Sequence, residues 1–139
     1  MESKIKTRIV LAEDDEILGS LYDEALSLMG FSVGLAKSGK ECLRLVEEND
    51  PDLVILDIVM PDGDGFFVLK KIRESQKNKS VPVIMHTNLF NEEDKAEAMR
   101  LGAKEYVVKA NITPTQLAKM VKKHVSVKKN EQTLQSSEV

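Results

Sequence analysis

Five short apolar runs recur along the 139-residue chain, and each ends at a polar or charged residue. They occupy residues 9–12, 31–36, 53–56, 81–85 and 106–108. A short apolar run bounded by turn residues is typical of a strand that is buried on both faces. The clearest run, residues 53–56, leads directly into Asp57 and then into a turn rich in aspartate and glycine. The pattern therefore predicts five strands.

After each predicted strand, apolar residues recur at helical spacing. Helix starts and ends are marked by Ser38 with Glu41, Asn91, Pro114, Gly30 and Gly102. Five strands that alternate with five helices predict an α/β domain, doubly wound around a five-stranded parallel sheet. We place this domain at residues 1–126. Residues 127–139 are polar and lack periodicity, which predicts a disordered tail.

Polar and charged side chains follow four of the five strands. Glu13 and Asp14 follow the first, Asp57 the third, Thr87 the fourth and Lys109 the fifth. Because right-handed crossovers place the carboxyl ends of parallel strands on one edge of the sheet, we expect these side chains to meet there.

Such a cluster of carboxylates needs a cation. At a separation of about 5 Å and an effective dielectric constant of about 20, each pair of carboxylates repels by roughly 3 kcal/mol. A divalent cation relieves this repulsion, and ligands that are all oxygen suit Mg²⁺. Lys109 adds an ammonium and Thr87 a hydroxyl. Together these groups fit a phosphoryl group held on an oxygen.

These residues, with Met60-Pro61-Asp62-Gly63 behind Asp57, resemble the receiver domain of bacterial two-component response regulators. The resemblance covers residues 6–126, and the spacings from Asp57 to Thr87 and Lys109 are similar to those of single-domain chemotaxis regulators. It implies a flavodoxin-like fold with strand order 2-1-3-4-5. It also implies a phosphoacceptor that assists its own phosphorylation and dephosphorylation, rather than an enzyme.

The resemblance assigns a role to each site residue. Asp57 would take a phosphoryl group from a histidine kinase or a histidine phosphotransfer protein. Asp14 and Asp57 would bind Mg²⁺ directly with the backbone carbonyl of Val59, and Glu13 would act mostly through water. Lys109 would pair with the phosphoryl oxygens.

A switching mechanism is also implied. Thr87 would hydrogen-bond the phosphoryl group once Asp57 is modified, and Tyr106 would swing inward as Thr87 moves. The change would reshape the face formed by the fourth helix, the fifth strand and the fifth helix, where a downstream protein target would bind.

Two positions depart from the receiver pattern. Asn88 follows Thr87, where a small residue is usual, which predicts narrower access for the phosphoryl group and a changed lifetime of the aspartyl phosphate. Ala110 follows Lys109, where a proline in a cis bond is usual. A cis bond before a non-proline residue costs about 2.5–4 kcal/mol, so we expect a trans bond and a different loop.

Composition bears on which kinds of partner the chain would bind and on the cellular compartment in which it would lie. The formal net charge is −3, which gives no support for binding nucleic acid. No apolar stretch approaches the length of a membrane span. The lone Cys42 excludes an intramolecular disulfide, which predicts a cytoplasmic protein.

Competing interpretations remain. A phosphatase of the haloacid dehalogenase type needs a second acid at the position of Val59. A flavin mononucleotide site of the flavodoxin kind needs a neutral loop after the first strand, where this chain has Glu13 and Asp14. Residues 34–40 match P-loop spacing, but Glu41 replaces the required Ser or Thr. Within the family, the chain is either a single-domain regulator or a receiver cut from a longer regulator or hybrid kinase.

Overall fold

A computed structural model of the protein describes the backbone of residues 6–137 and the side chains of residues 6–125. The elements in chain order are β1 (Arg8–Ala12), α1 (Glu16–Leu28), β2 (Ser32–Ala36), α2 (Gly39–Asn49), β3 (Leu53–Leu56), α3 (Gly65–Glu74), β4 (Val83–Thr87), α4 (Glu92–Arg100), β5 (Glu105–Val108), a short 3-10 helix (Lys109–Asn111) and α5 (Pro114–Ser137). The five strands are parallel and lie in the order β2-β1-β3-β4-β5. The predicted fold class, strand order and number of helices are confirmed.

Strand β3 is the centre of the sheet and contributes to a hydrophobic core on each face. Successive side chains of a strand point to opposite faces, so Val54 and Leu56 pack among α2, α3 and α4, whereas Leu53 and Ile55 pack between α1 and α5. All four residues are fully buried. Burying a large aliphatic side chain stabilises the fold by about 1.5–3 kcal/mol. An uninterrupted apolar run is therefore what this central position requires.

Side chains predicted to cap helices do so in the structure. The Ser38 hydroxyl accepts a hydrogen bond from the backbone N–H of Glu41 at 3.0 Å. The side-chain oxygen of Asn91 accepts from the backbone N–H of Asp94 at 2.8 Å. Asp15, which follows the first strand, caps α1 in the same way. Each cap satisfies an N–H that has no partner within its own helix.

The last helix, α5, is described to Ser137. The disordered tail expected over residues 127–139 stays a prediction. Residues 138–139 lie outside the described part of the chain, and the domain boundary after residue 126 stays a prediction. No helix within the described residues is long and apolar enough to cross a membrane.

Gly65 fixes the loop between β3 and α3. Its N–H donates to the carbonyl of Ile58 at 2.8 Å. A Cβ at this position would overlap the carbonyl oxygen of Asp57 and lie 2.7 Å from the Cα of Ile58. Only glycine permits this approach, and the approach sets the path of the backbone just after Asp57.

We predict that Gly65→Ala lowers the free energy of unfolding by about 1–3 kcal/mol, the usual range for overpacking. The added methyl group has backbone rather than a flexible side chain against it. Urea denaturation measures the change. Gly34→Ala is the matched control, because its Cβ would meet its nearest neighbour, the side-chain nitrogen of Asn49, at an ordinary 3.4 Å. Equal stability of the two variants would contradict the proposed close packing.

Candidate functional site

The side chains predicted to form the site lie at one edge of the sheet. Ala12 pairs with Leu56 across β1 and β3, so Glu13 and Asp57 begin the loops at neighbouring positions. Thr87 ends β4 opposite Val108, the last residue of β5, and Lys109 comes next. Backbone hydrogen bonds continue past the strands, since the N–H of Asp57 donates to the carbonyl of Ala12 at 3.3 Å. The sheet therefore holds the backbone of Asp57, the first residue after β3.

Lys109 lies between two buried carboxylates. Its Nζ is 2.6 Å from Oδ2 of Asp57 and 2.6 Å from Oε1 of Glu13. The Lys109 side chain is only 9% exposed, so both ion pairs are largely shielded from water. Burial opposes the ammonium, but hydrogen bonds to Asp57 and Glu13 and their negative charges outweigh it and raise the pKa of Lys109. Lys109 is therefore charged at neutral pH.

Direct pairing between Glu13 and Lys109 was missed by the sequence analysis, which assigned Glu13 mainly to the metal through water. The second carboxylate oxygen of Glu13 accepts a hydrogen bond from the N–H of Asp15 at 3.1 Å. Oε1 of Glu13 is the ion-pair partner of the Lys109 ammonium, and the Glu13 side chain is buried. The position of Glu13 at the end of a strand did not indicate that Lys109 would be its ion-pair partner.

Carboxylate oxygens of Glu13, Asp14 and Asp57 lie within 4.8 Å of one another, close enough for all three residues to bind one metal ion. Asp14 is exposed, whereas Glu13 and Asp57 are buried, so the cluster opens to solvent on one side. Three formal negative charges face the single ammonium of Lys109. Two charges remain uncompensated, which is the charge of one divalent cation. All-oxygen donors in this number fit Mg²⁺.

Val59, the fourth predicted metal ligand, lies next to the cluster. Its N–H donates to Oδ1 of Asp57 at 3.3 Å. Val59 is 63% exposed, so this part of the loop faces solvent. The use of its carbonyl as a ligand stays a prediction.

Thr87 and Tyr106 are linked through Leu89. The Thr87 hydroxyl oxygen accepts from the N–H of Leu89 at 3.2 Å, and the Tyr106 hydroxyl donates to the carbonyl of Leu89. Thr87 is fully buried and Tyr106 half-buried. The backbone of Leu89 therefore connects the Thr87 hydroxyl to the Tyr106 hydroxyl.

Asn88 and Ala110, the two departures from the receiver pattern, are in contact. The N–H of Ala110 donates to the side-chain oxygen of Asn88 at 3.1 Å. None of the peptide bonds between described residues is cis, so the expected trans bond before Ala110 is confirmed. The chain after Lys109 forms a turn of 3-10 helix. Sequence spacing gave no indication of this hydrogen bond.

His86 lies directly before Thr87 and packs into the core. Its ring meets Tyr22 edge to face, with the centroids 4.7 Å apart. Burial, aided by the positive charge of Lys109 and opposed by Asp57, lowers the pKa of His86 to about 4. The imidazole is therefore neutral at pH 7, and it packs against the aromatic ring.

The P-loop match at residues 34–40 does not form a phosphate cradle. The N–H groups of Gly39 and Lys40 donate to the carbonyls of Pro61 and Asp62 at 3.0 and 2.9 Å. Donors that a phosphate would need are already used by the loop after β3. These contacts instead join α2 to the segment that carries Asp57.

Comparison with known proteins agrees with this geometry. A family model for the response regulator receiver domain matches residues 9–122. A probable transcriptional regulator ycf27 of Guillardia theta is 37% identical over 109 residues, which cover 78% of this chain and 42% of that protein. An uncharacterized 14.6 kDa protein of Leptolyngbya boryana is 32% identical over 124 residues, which cover 89% of this chain and 94% of that protein. The chain spans less than half the length of the first curated relatives that it matches.

Solved structures show the same fold. The non-phosphorylated HemR receiver domain of Leptospira biflexa has a TM-score of 0.78 and 32% identity, with 87% of this chain and 95% of that chain covered. A CheY-like receiver domain protein of Methanospirillum hungatei has a TM-score of 0.84 at 24% identity, with 91% and 99% covered, and this supports the fold alone. With the family model spanning residues 9–122 and relatives above 30% identity aligned over most of its length, the chain belongs to the receiver domain family of two-component response regulators.

Proposed function

We propose that this receiver domain is a phosphorylation-activated switch, which accepts a phosphoryl group on Asp57 from a histidine kinase or histidine phosphotransfer protein. The observation that carries the proposal is the buried ammonium of Lys109, 2.6 Å from the carboxylates of both Asp57 and Glu13. A carboxylate at a strand end, next to a fixed cation and open to solvent through Asp14, is suited to receive a phosphoryl group.

The transfer exchanges one bond for another. A carboxylate oxygen of Asp57 forms a P–O bond as the P–N bond of the donor phosphohistidine breaks, and the electron pair leaves with the imidazole. Lys109 is already within hydrogen-bonding distance of Asp57, so its charge stabilises the phosphoryl oxygens without rearrangement of solvent.

Mg²⁺ fits the proposed site. Glu13, Asp14 and Asp57 would hold it, with the carbonyl of Val59, and the uncompensated charge of the cluster matches the ion. When bound, the ion neutralises the negative charge that otherwise repels a phosphoryl group.

Switching would pass from the phosphoryl group to Thr87 and on to Tyr106. The new group carries up to about two negative charges, which draw the Thr87 hydroxyl and Lys109 towards it. Because Leu89 is hydrogen-bonded to both Thr87 and Tyr106, displacement of this loop changes the surface of α4, β5 and α5. A coupling free energy of about 1–3 kcal/mol is typical. A downstream protein would bind that surface.

The chain would thus signal by contact with other proteins and not by turnover of a separate substrate. It would act in the cytoplasm and would not itself bind nucleic acid. A receiver unit within a longer regulator is the second candidate. It is favoured by the curated relatives, of whose length this chain spans 42% or less in the first three.

Magnesium is expected to stabilise the folded protein. A ligand that binds only the native state at 100 times its dissociation constant adds about 2.7 kcal/mol. Asp14→Asn should remove most of that gain, because one of three ligands loses its charge. In magnesium-free buffer the same variant should be at least as stable as the wild type, since one repelling carboxylate is gone. Thermal denaturation with and without Mg²⁺ measures both effects.

Asp62→Asn is the control for the magnesium experiment. Asp62 is an exposed acid in the loop after β3 and lies outside the metal cluster. Its variant should respond to Mg²⁺ as the wild type does. A magnesium response that Asp14→Asn leaves intact would place the ion elsewhere.

Acetyl phosphate with Mg²⁺ should add one phosphoryl group to the wild-type protein, and Asp57→Asn should abolish labelling, because the attacking carboxylate is gone. Intact-protein mass spectrometry at neutral pH detects the added group. Asp52→Asn, at the other end of β3, should label normally. Persistence of the label in Asp57→Asn would falsify the assignment.

Lys109→Ala should still bind Mg²⁺ and accept label from excess acetyl phosphate, but lose the response of the α4–β5–α5 surface. The ammonium that is drawn to the phosphoryl group would be missing. Amide chemical-shift changes of Leu89 and Tyr106 on phosphorylation report the response. Lys104→Ala, an exposed lysine one residue before β5, is the control and should respond fully. A full response in Lys109→Ala argues against the role assigned to the ammonium.

A further inference from the structure

One side chain joins the two loops that carry Thr87 and Lys109. Asn88 directly follows Thr87, and Ala110 directly follows Lys109. The Ala110 N–H donates to Oδ1 of Asn88 at 3.1 Å. A proline after Lys109 would have no N–H to donate. Asn88 and Ala110 therefore depend on each other, and we call their hydrogen bond the loop bridge.

The loop bridge differs from two further hydrogen bonds of the β4–α4 loop. The hydrogen bond from the Leu89 N–H to the Thr87 hydroxyl joins residues that are two positions apart. The hydrogen bond from the Tyr106 hydroxyl to the Leu89 carbonyl joins the loop to strand β5. Among the side-chain hydrogen bonds of the described residues, the loop bridge alone connects this loop to the segment that begins with Lys109. It joins the residues that directly follow Thr87 and Lys109, whose side chains the phosphoryl group is expected to attract.

We propose that Asn88 is a positioning residue that acts through Ala110, so that Thr87 and Lys109 move towards the phosphoryl group as one unit and shield it from water. This inference rests on the proposed phosphorylation of Asp57. With the bridge in place, displacement of either loop pulls the other. Without it the loops separate more readily, and water reaches the phosphorus for hydrolysis.

Exposure limits the size of the effect. Asn88 and Ala110 are both exposed, so the bridge competes with hydrogen bonds to water. A hydrogen bond in a protein contributes modestly to an equilibrium, equivalent to a factor of about two to ten. Loss of the bridge should therefore shorten the lifetime of the aspartyl phosphate by about two- to tenfold. Exposed substitutions of this kind seldom impair folding.

A double-mutant cycle tests the loop bridge. Wild type, Asn88→Ala, Ala110→Pro and the double variant are labelled with radioactive acetyl phosphate and Mg²⁺, the donor is removed, and loss of label is followed. Both single variants should lose label faster than the wild type by a similar factor. The double variant should match the single variants, because each change removes the same hydrogen bond.

Two controls separate the bridge from general effects on the loops. Ala110→Gly keeps the donating N–H and should retain the wild-type lifetime. Hydrogen exchange of the Ala110 amide should be faster in Asn88→Ala, while the urea midpoint stays unchanged. A merely structural role would instead shift the urea midpoint and leave the lifetime as it was.

The outcomes also distinguish this inference from the proposed function. If wild-type Asp57 takes no label, the proposed function fails and this inference fails with it. If Asp57 is labelled but Asn88→Ala keeps the wild-type lifetime, or if the two single effects multiply in the double variant, only the loop bridge is overturned. Equal, non-multiplying losses of lifetime support it.

Discussion

Pairing of the Lys109 ammonium with two buried carboxylates holds the site together. Asp57 and Glu13 project from neighbouring strands into a region with little water, where like charges repel strongly. Lys109 lies 2.6 Å from each and offsets part of this repulsion. Of the three formal negative charges of Glu13, Asp14 and Asp57, two remain uncompensated, and Asp14 lies at the exposed side of the cluster. The folded chain therefore keeps a cluster of carboxylate oxygens that are close enough to bind one metal ion.

The sheet supplies the rigidity that this pairing needs. β3 is buried on both faces, and backbone hydrogen bonds reach Asp57 itself from Ala12. Behind Asp57, the close approach of Gly65 fixes the path of the loop, and the N–H groups at the start of α2 hold the next turn. The Thr87 hydroxyl and the Lys109 ammonium come from the ends of the other two strands, β4 and β5. The acids and these two groups therefore approach the site from different strands of one sheet.

The two unusual residues beside the site are explained by each other. Replacing proline by alanine after Lys109 introduces an N–H donor, and a small residue after Thr87 would offer it no side-chain acceptor. Asn88 provides that acceptor. The peptide bond before Ala110 is trans, as expected where no proline follows Lys109, since the cis form is strongly disfavoured without proline. Alanine in place of proline after Lys109 thus permits a hydrogen bond between the two loops.

Local pattern alone determined the strands, the helices, their caps and the four strand ends at which the site forms, because periodicity and capping act over a few residues. Only the tertiary structure decided which partner each site residue has. Glu13 meets Lys109 across the sheet, and Asn88 meets Ala110, 22 positions away in sequence. Such contacts depend on strand order and on the directions of side chains within a few tenths of an ångström, which no pattern along the chain encodes.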